Sequence, residues 1–396
     1  MEVSKRILKF QFSPIRKLGP VSDAREDEGI KVYHLNIGQP DIKTPKEALK
    51  AVHNFDKDII CYGNSAGHIS LRKSLVNYYK KFNSDLNPEQ IIITTGGSEA
   101  IQFVFQCLCD QGSETIIPEP YYTNVNTFSQ MAQTKLVPIT SNIEKGFSLP
   151  DFKELEKKLT SKTKVILLCN PNNPTGYIYS KQELLQILKF CKAHELFLVV
   201  DEVYREFCYD DKEFISILSF KGFDDYIVCV DSFSKRFSMC GSRIGALVSR
   251  NKEVINNVLK LAQARLCPPE IEQFAAEAAL SAPESYIDDV KKQYQERRDT
   301  LVKALKSIDG VTCNTPKGAF YLVAQLPVED SEDFALFLLR DFDYKGETVM
   351  LAPAAGFYAN EEIGKNQVRI AYVLNNEDLK KAIECLRYGL IAYKNR

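Results

Sequence analysis

The chain has 396 residues, enough for two domains, and its 51 basic and 52 acidic side chains leave a net charge of -1. Hydrophobic residues at 44% and charged residues at 26% exclude a disordered chain, and the balanced charge excludes the basic excess of a nucleic-acid binder. Eleven cysteines without CxxC spacing and four histidines without HExxH argue against a disulfide framework or a zinc site. Lys5, Arg6 and Lys9 interrupt the first eleven residues, and no apolar run approaches bilayer length, so a soluble cytoplasmic protein is expected.

In chain order, apolar β-branched runs stand at 91–95, 115–118, 165–169, 196–201, 226–230 and 246–249. Segments of helical periodicity lie between them, among them 99–110, closed by Gly112, and 181–195. Continuous apolar strands alternating with helices predict a mainly parallel sheet covered on both faces, an α/β domain over residues 46–289. A long charged helix is predicted over 284–308. Beyond it, strands at 319–323 and 367–373 mix with helices at 333–340 and 377–393. This is a smaller α+β domain, residues 290–396, to which residues 1–45 contribute.

Open α/β sheets bind ligands at the carboxyl ends of their strands, and this chain concentrates polar residues there. Ile91-Ile92-Ile93 leads into Thr94-Thr95-Gly96-Gly97-Ser98, directly before a helix. Glycines admit an anion close to the backbone, and a helix N-terminus offers free N–H groups. Alone, Ser98 reads first as an N-cap. The run at 196–200 ends in Asp201, followed by Glu202-Val203-Tyr204, and an acid there needs a positive partner or donors. The run at 226–230 ends in Asp231-Ser232-Phe233-Ser234-Lys235, with Arg243 eight residues on, a set able to hold a phosphate. A third run ends in Asn170-Pro171-Asn172-Asn173-Pro174-Thr175-Gly176, locally only a turn.

Together these segments resemble the class I aminotransferases, the aspartate-aminotransferase-like branch of the fold-type I pyridoxal-phosphate enzymes. The resemblance runs from Asn36-Ile37-Gly38-Gln39-Pro40-Asp41 to Arg369-Ile370-Ala371, with Gly96-Gly97-Ser98, Asn173-Pro174-Thr175-Gly176, Asp201-Glu202-Val203-Tyr204, Ser232-Phe233-Ser234-Lys235 and Arg243 in the family's order. It implies a seven-stranded sheet in the large domain and pyridoxal 5'-phosphate as cofactor. Lys235 matches the lysine that carries the cofactor as a Schiff base and moves the substrate proton. Asp201 matches the partner of the pyridinium nitrogen, and Asn173 and Tyr204 match the donors to its 3-oxygen. Gly97, Ser98, Ser232, Ser234 and Arg243 match the phosphate surround. Tyr122 matches the aromatic stacked on the ring, with Tyr121 the alternative. Tyr62 matches a tyrosine reaching the phosphate of a neighbouring subunit, which implies a homodimer with shared sites. Arg369 matches the clamp on the α-carboxylate, and Gly38 the backbone that closes over it.

The implied activity is transfer of an amino group from an L-amino acid to a 2-oxo acid by ping-pong kinetics, with aspartate or glutamate the first expectation. Acidic substrates need a second cation. One subgroup draws it from the partner subunit, at the position where this sequence has Ala262, and Arg265, three residues on, is the substitute, with a dimer-interface role the alternative. Pro353-Ala354-Ala355-Gly356-Phe357 also departs from many relatives, leaving aromatic or broad specificity open. C–S lyases and synthases that cyclise S-adenosylmethionine share Lys235, Asp201 and Arg369, and a silent regulator would lack them.

Overall fold

The structure is a computed structural model and describes residues 1–396. Strand β1 (Lys31–His34) lies in the N-terminal segment. The large sheet contains β2 (Ile91–Thr94), β3 (Glu114–Glu119), β4 (Lys135–Thr140), β5 (Thr163–Cys169), β6 (Phe197–Asp201), β7 (Ile227–Ser232) and β8 (Gly245–Val248). Its order is β2-β8-β7-β6-β5-β3-β4, parallel except for β8, which runs antiparallel to both neighbours. Beyond it come β9 (Thr312–Cys313), β10 (Tyr321–Gln325), β11 (Glu347–Met350), β12 (Ala352–Pro353) and β13 (Gln367–Ala371). Four of these form the sheet β12-β13-β10-β9, while β11 pairs in parallel with β1 and so joins the two chain ends.

Successive residues of the large sheet enter opposite cores, as the period of two demands. Ile91, Ile93, Ile166, Leu168, Leu198, Val200 and Cys229 pack on one face with Leu184, Ile187 and Leu188 of helix Lys181–Ala193. Ile92, Val165, Leu167, Val199, Val228 and Val230 pack on the other with Ala100, Val104 and Phe105 of helix Gly96–Leu108. A third core joins Tyr33 and Leu35 to β10, β13 and helix Asn376–Lys394, with Tyr204 and Phe207 reaching in from beyond β6. The helix Glu284–Leu305 belongs to both bodies: Tyr286 and Ile287 touch the first core, and Val290, Tyr294 and Leu301 lie in the third.

Two local differences from the sequence expectation have plain causes. Strand β4 escaped because Pro138 interrupts it, and an edge strand tolerates the missing N–H. The helix after β2 begins at Gly96, three residues before the expected 99, so Gly97 and Ser98 lie within its first turn.

Candidate active site

A cavity of about 630 Å³ opens at the carboxyl ends of β2, β5, β6 and β7, closed from above by the N-terminal segment, Tyr321 and Arg369. It brings together Gly38, Gly97, Ser98, Tyr122, Asn173, Asp201, Tyr204, Ser232, Ser234, Lys235, Arg243 and Arg369 from strand ends far apart in sequence.

One end is built for an anion. Gly96 starts its helix at φ +73°, a conformation that side chains rarely adopt. The Arg243 guanidinium lies so close that a Cβ on Gly96 would stand 2.4 Å from Nη2. The free N–H groups of that helix's first turn, the paired hydroxyls of Ser232 and Ser234 (2.9 Å apart) and Arg243 together form a phosphate-sized cradle.

Across the floor, Asp201 ends β6 and its Oδ1 accepts from Val203 N at 3.1 Å. Burial outweighs that bond and pushes the carboxyl up to about 7. Tyr204 OH accepts from Asn173 Nδ2 at 3.4 Å and lies 3.1 Å from Tyr321 OH. Burial, with Tyr321 beside it, raises the Tyr204 hydroxyl well beyond the usual phenol range, so it stays protonated. Lys235 Nζ donates to the Gly38 carbonyl at 2.7 Å, which ties the lysine to the N-terminal segment.

At the other end stands Arg369, only 1% exposed on β13. It faces no carboxylate. Nη1 donates to Asn173 Oδ1 at 3.3 Å, Nη2 to the Asn36 carbonyl, and the buried Nε has no partner. The Tyr321 ring lies 4.6 Å from its guanidinium carbon. Burial without an acid lowers its pKa, so an incoming carboxylate meets a desolvated fork. A Cβ on Gly38 would stand 1.7 Å from Tyr321 OH, so only glycine fits there.

Beneath the cavity a buried ion chain joins two strand ends. Arg205 Nη2 is 3.3 Å from both Glu202 and Asp231, and Arg236 pairs with both Asp231 oxygens at 2.7 and 3.1 Å. Tyr79 OH also donates to Asp231 at 2.7 Å. Burial opposes the Asp231 charge, but the two guanidiniums prevail and hold its carboxyl below the usual range. Glu202 follows Asp201 and Arg236 follows Lys235, so the chain braces the backbone of both.

Two expected residues lie elsewhere. Arg265, expected to serve the partner subunit's site, has its guanidinium engaged within its own chain: Nη1 donates to Glu99 at 2.6 Å and Nη2 to the Ser65 carbonyl at 2.9 Å. Tyr62 is 80% exposed, beside Ile60, Cys61 and Pro268–Glu270, outside the cavity of its own chain. Tyr122 lines the cavity, whereas Tyr121 turns its hydroxyl to Asn126 at 2.8 Å. Sequence reasoning missed Tyr321, Asn36 and Arg16. Tyr321 sits in the run Ala319-Phe320-Tyr321-Leu322, which reads only as core, and Arg16 is a lone basic residue in an irregular segment.

The comparisons agree with this geometry. The family described as aminotransferase class I and II matches residues 30–386. An aspartate aminotransferase of Pyrococcus horikoshii is 33% identical over 98% of this chain and 97% of its own. An aromatic-amino-acid aminotransferase of Thermococcus litoralis is 30% identical over 97% of each. The solved alanine aminotransferase of Pyrococcus furiosus superposes with a TM-score of 0.91 at 31% identity, covering 100% of both chains. The protein therefore belongs to the class I and II aminotransferases, with the mainly parallel seven-stranded α/β fold of its structural neighbours.

Proposed function

We propose that this aminotransferase works with pyridoxal 5'-phosphate bound in the cavity, transferring an amino group between an L-amino acid and a 2-oxo acid in two half-reactions. The observation that carries the reading is that Lys235 shares one cavity with an anion cradle, a raised carboxyl and the buried, acid-free Arg369. The donor set fits the cofactor: Gly97, Ser98, Ser232, Ser234 and Arg243 would hold its phosphate, Lys235 would attach it, and Tyr122 would cover its ring. Asp201 would keep a proton on the ring nitrogen, and Asn173 and Tyr204 would address the 3-oxygen. When bound, the cofactor supplies an electron sink for the pair left at the substrate Cα.

The chain's own residues do the rest. Arg369 clamps the α-carboxylate as a bidentate pair and so orients the Cα–H bond. Asn173 Oδ1 positions that guanidinium at 3.3 Å, leaving Nε for the incoming oxygen. Lys235 Nζ, directed by the Gly38 carbonyl, would take the Cα proton as general base and pass it as general acid to the cofactor's C4′ carbon, leaving Cα at the 2-oxo level. Tyr321 and the N-terminal segment cover the cleft and exclude water. Large domain 46–289 would hold the cofactor, and residues 1–45 with 290–396 would close on the substrate.

A homodimer belongs to this reading. Ile59 and Ile60 are 70% and 60% exposed beside Tyr62, an apolar surface suited to a second copy whose phosphate site Tyr62 would reach. The eleven free cysteines fit a reducing, cytoplasmic setting. The test is a half-reaction scan of purified holoenzyme against single amino acids. Conversion of the cofactor to its amino form, with one equivalent of 2-oxo acid released, is the expected result. Release of pyruvate and ammonia from cysteine conjugates without that conversion overturns it in favour of a lyase.

A further inference from the structure

The cavity is lined by four cations, Arg16, Lys235, Arg243 and Arg369, against one acid, Asp201. On the proposed function, on which this inference rests, three of the cations are committed: Arg243 to the phosphate, Lys235 to the cofactor and Arg369 to the α-carboxylate. Arg16 is left over. Its side chain is exposed at the cavity wall and forms no ion pair, whereas the adjacent Lys17 is taken by Glu332.

We propose that Arg16 is the specificity residue of this enzyme, binding the distal carboxylate of a dicarboxylic amino acid or its 2-oxo acid, the role first expected of Arg265. A surplus cation in a cavity is meaningful only if its backbone is held in place, and three observations hold it. Arg16 N donates to Ser13 O at 3.0 Å and Gly19 N to Arg16 O at 2.9 Å, which sets the turn. Ile15 is buried with Ala354, Phe357 and Tyr358, and Pro14 packs so tightly on Gly356 that a Cβ there would stand 2.4 Å from its Cγ. The departure at Ala354-Ala355-Gly356 is thus the seat of the segment that carries Arg16.

The third observation ties Arg16 to the α-carboxylate site itself. Asn36 Nδ2 donates to the Ile15 carbonyl at 2.8 Å, and the Asn36 carbonyl accepts from Arg369 Nη2. One buried residue therefore links the peptide before Arg16 to the guanidinium of Arg369, so the backbone that carries Arg16 keeps a fixed relation to the α-carboxylate site. Two guanidinium side chains lining one cavity match a ligand with two carboxylates, and a neutral side chain would leave Arg16 unpaired. Arg265, by contrast, would have to abandon Glu99.

The experiment compares wild-type, Arg16→Gln and Arg16→Lys holoenzymes in the half-reaction with glutamate, aspartate and alanine, with maleate as an unreactive dicarboxylate. One charge-assisted contact predicts that the glutamate-to-alanine ratio of kcat/KM falls about 10- to 100-fold in Arg16→Gln. The same fold-change is expected in maleate affinity, measured by calorimetry, with substantial recovery of both in Arg16→Lys. A ratio and a maleate affinity unchanged within about 2-fold overturn the assignment. So does an equal loss toward glutamate and alanine, which marks a merely structural segment. A wild-type enzyme that converts alanine but neither glutamate nor aspartate overturns this inference and leaves the proposed function standing, whereas conversion of no amino acid overturns both.

Discussion

Replacing Asp201 by asparagine has effects of opposite sign on the cofactor-free and the cofactor-bound protein. Burial raises the Asp201 carboxyl from its ordinary 3.8 to about 7, against the hydrogen bond from Val203. A carboxyl raised in this way favours the folded state only while it is protonated. Its contribution is complete below pH 3.8, declines as pH rises, and is lost above about 7. The full span corresponds to at most about 4 kcal/mol, of which about 3 kcal/mol falls between roughly pH 5 and 8. Asparagine does not titrate and keeps an oxygen for Val203 N–H. Urea unfolding of the cofactor-free proteins at the two pH values should show the variant gaining on wild type by about 3 kcal/mol at the higher pH. With the cofactor bound, the variant lacks a negative charge for the ring nitrogen, and cofactor dissociation should accelerate at least about 10-fold. A stability difference that does not change with pH, or that widens in favour of wild type, refutes the burial argument.

Further outcomes follow from the same geometry. Lys235→Ala should lower the half-reaction rate by at least about 1,000-fold, and borohydride should no longer fix cofactor to the chain. Arg369→Gln should raise KM about 10- to 100-fold for neutral and acidic donors alike, because every substrate has the α-carboxylate. A loss confined to acidic donors would mean that Arg369 holds the distal carboxylate and Arg16 the α-carboxylate. Asp231→Asn leaves Arg205 and Arg236 buried without their shared acid and should cost about 3–5 kcal/mol in urea unfolding.

The residues that local pattern announces lie at strand ends, where an apolar run changes to a polar turn, whereas Arg369 within β13 and Gly38 in the N-terminal segment are legible only through the family resemblance. Asp201 and Ser232 end β6 and β7, and Lys235 follows three residues later, so a linear scan meets them at the change of pattern. Tyr321 gives no such signal. It lies within β10, and only the antiparallel register with β13, which sets Val323 opposite Arg369, carries it to the cleft. The Arg265–Glu99 pair spans 166 positions, and nothing local to either residue announces it. Arg16 was invisible for a related reason: its turn is held by Gly356 and Asn36, contacts that exist only after folding. Local grammar thus reveals groups that line the cavity from strand ends, and conceals groups delivered by packing.

The buried ion chain adds a reason why those strand ends can do chemistry. Four buried charged side chains at the ends of β6 and β7 are costly to desolvate, and well-packed hydrophobic residues of similar volume often stabilise as much or more. Apolar contacts, however, are non-directional, whereas Asp231 accepts Arg236 through two oxygens and Arg205 through a third contact from the turn after β6. That geometry fixes the residue after Lys235 relative to the residue after Asp201 along defined bond directions. On the proposed function, a lysine that would address one face of a ring whose nitrogen would meet Asp201 requires that relation to hold to a fraction of an ångström. The charge layout therefore divides by depth. Compensated pairs below the floor set direction, and on the proposed function the uncompensated cations above it, Arg16, Arg243 and Arg369, would bind the anionic groups of the ligands.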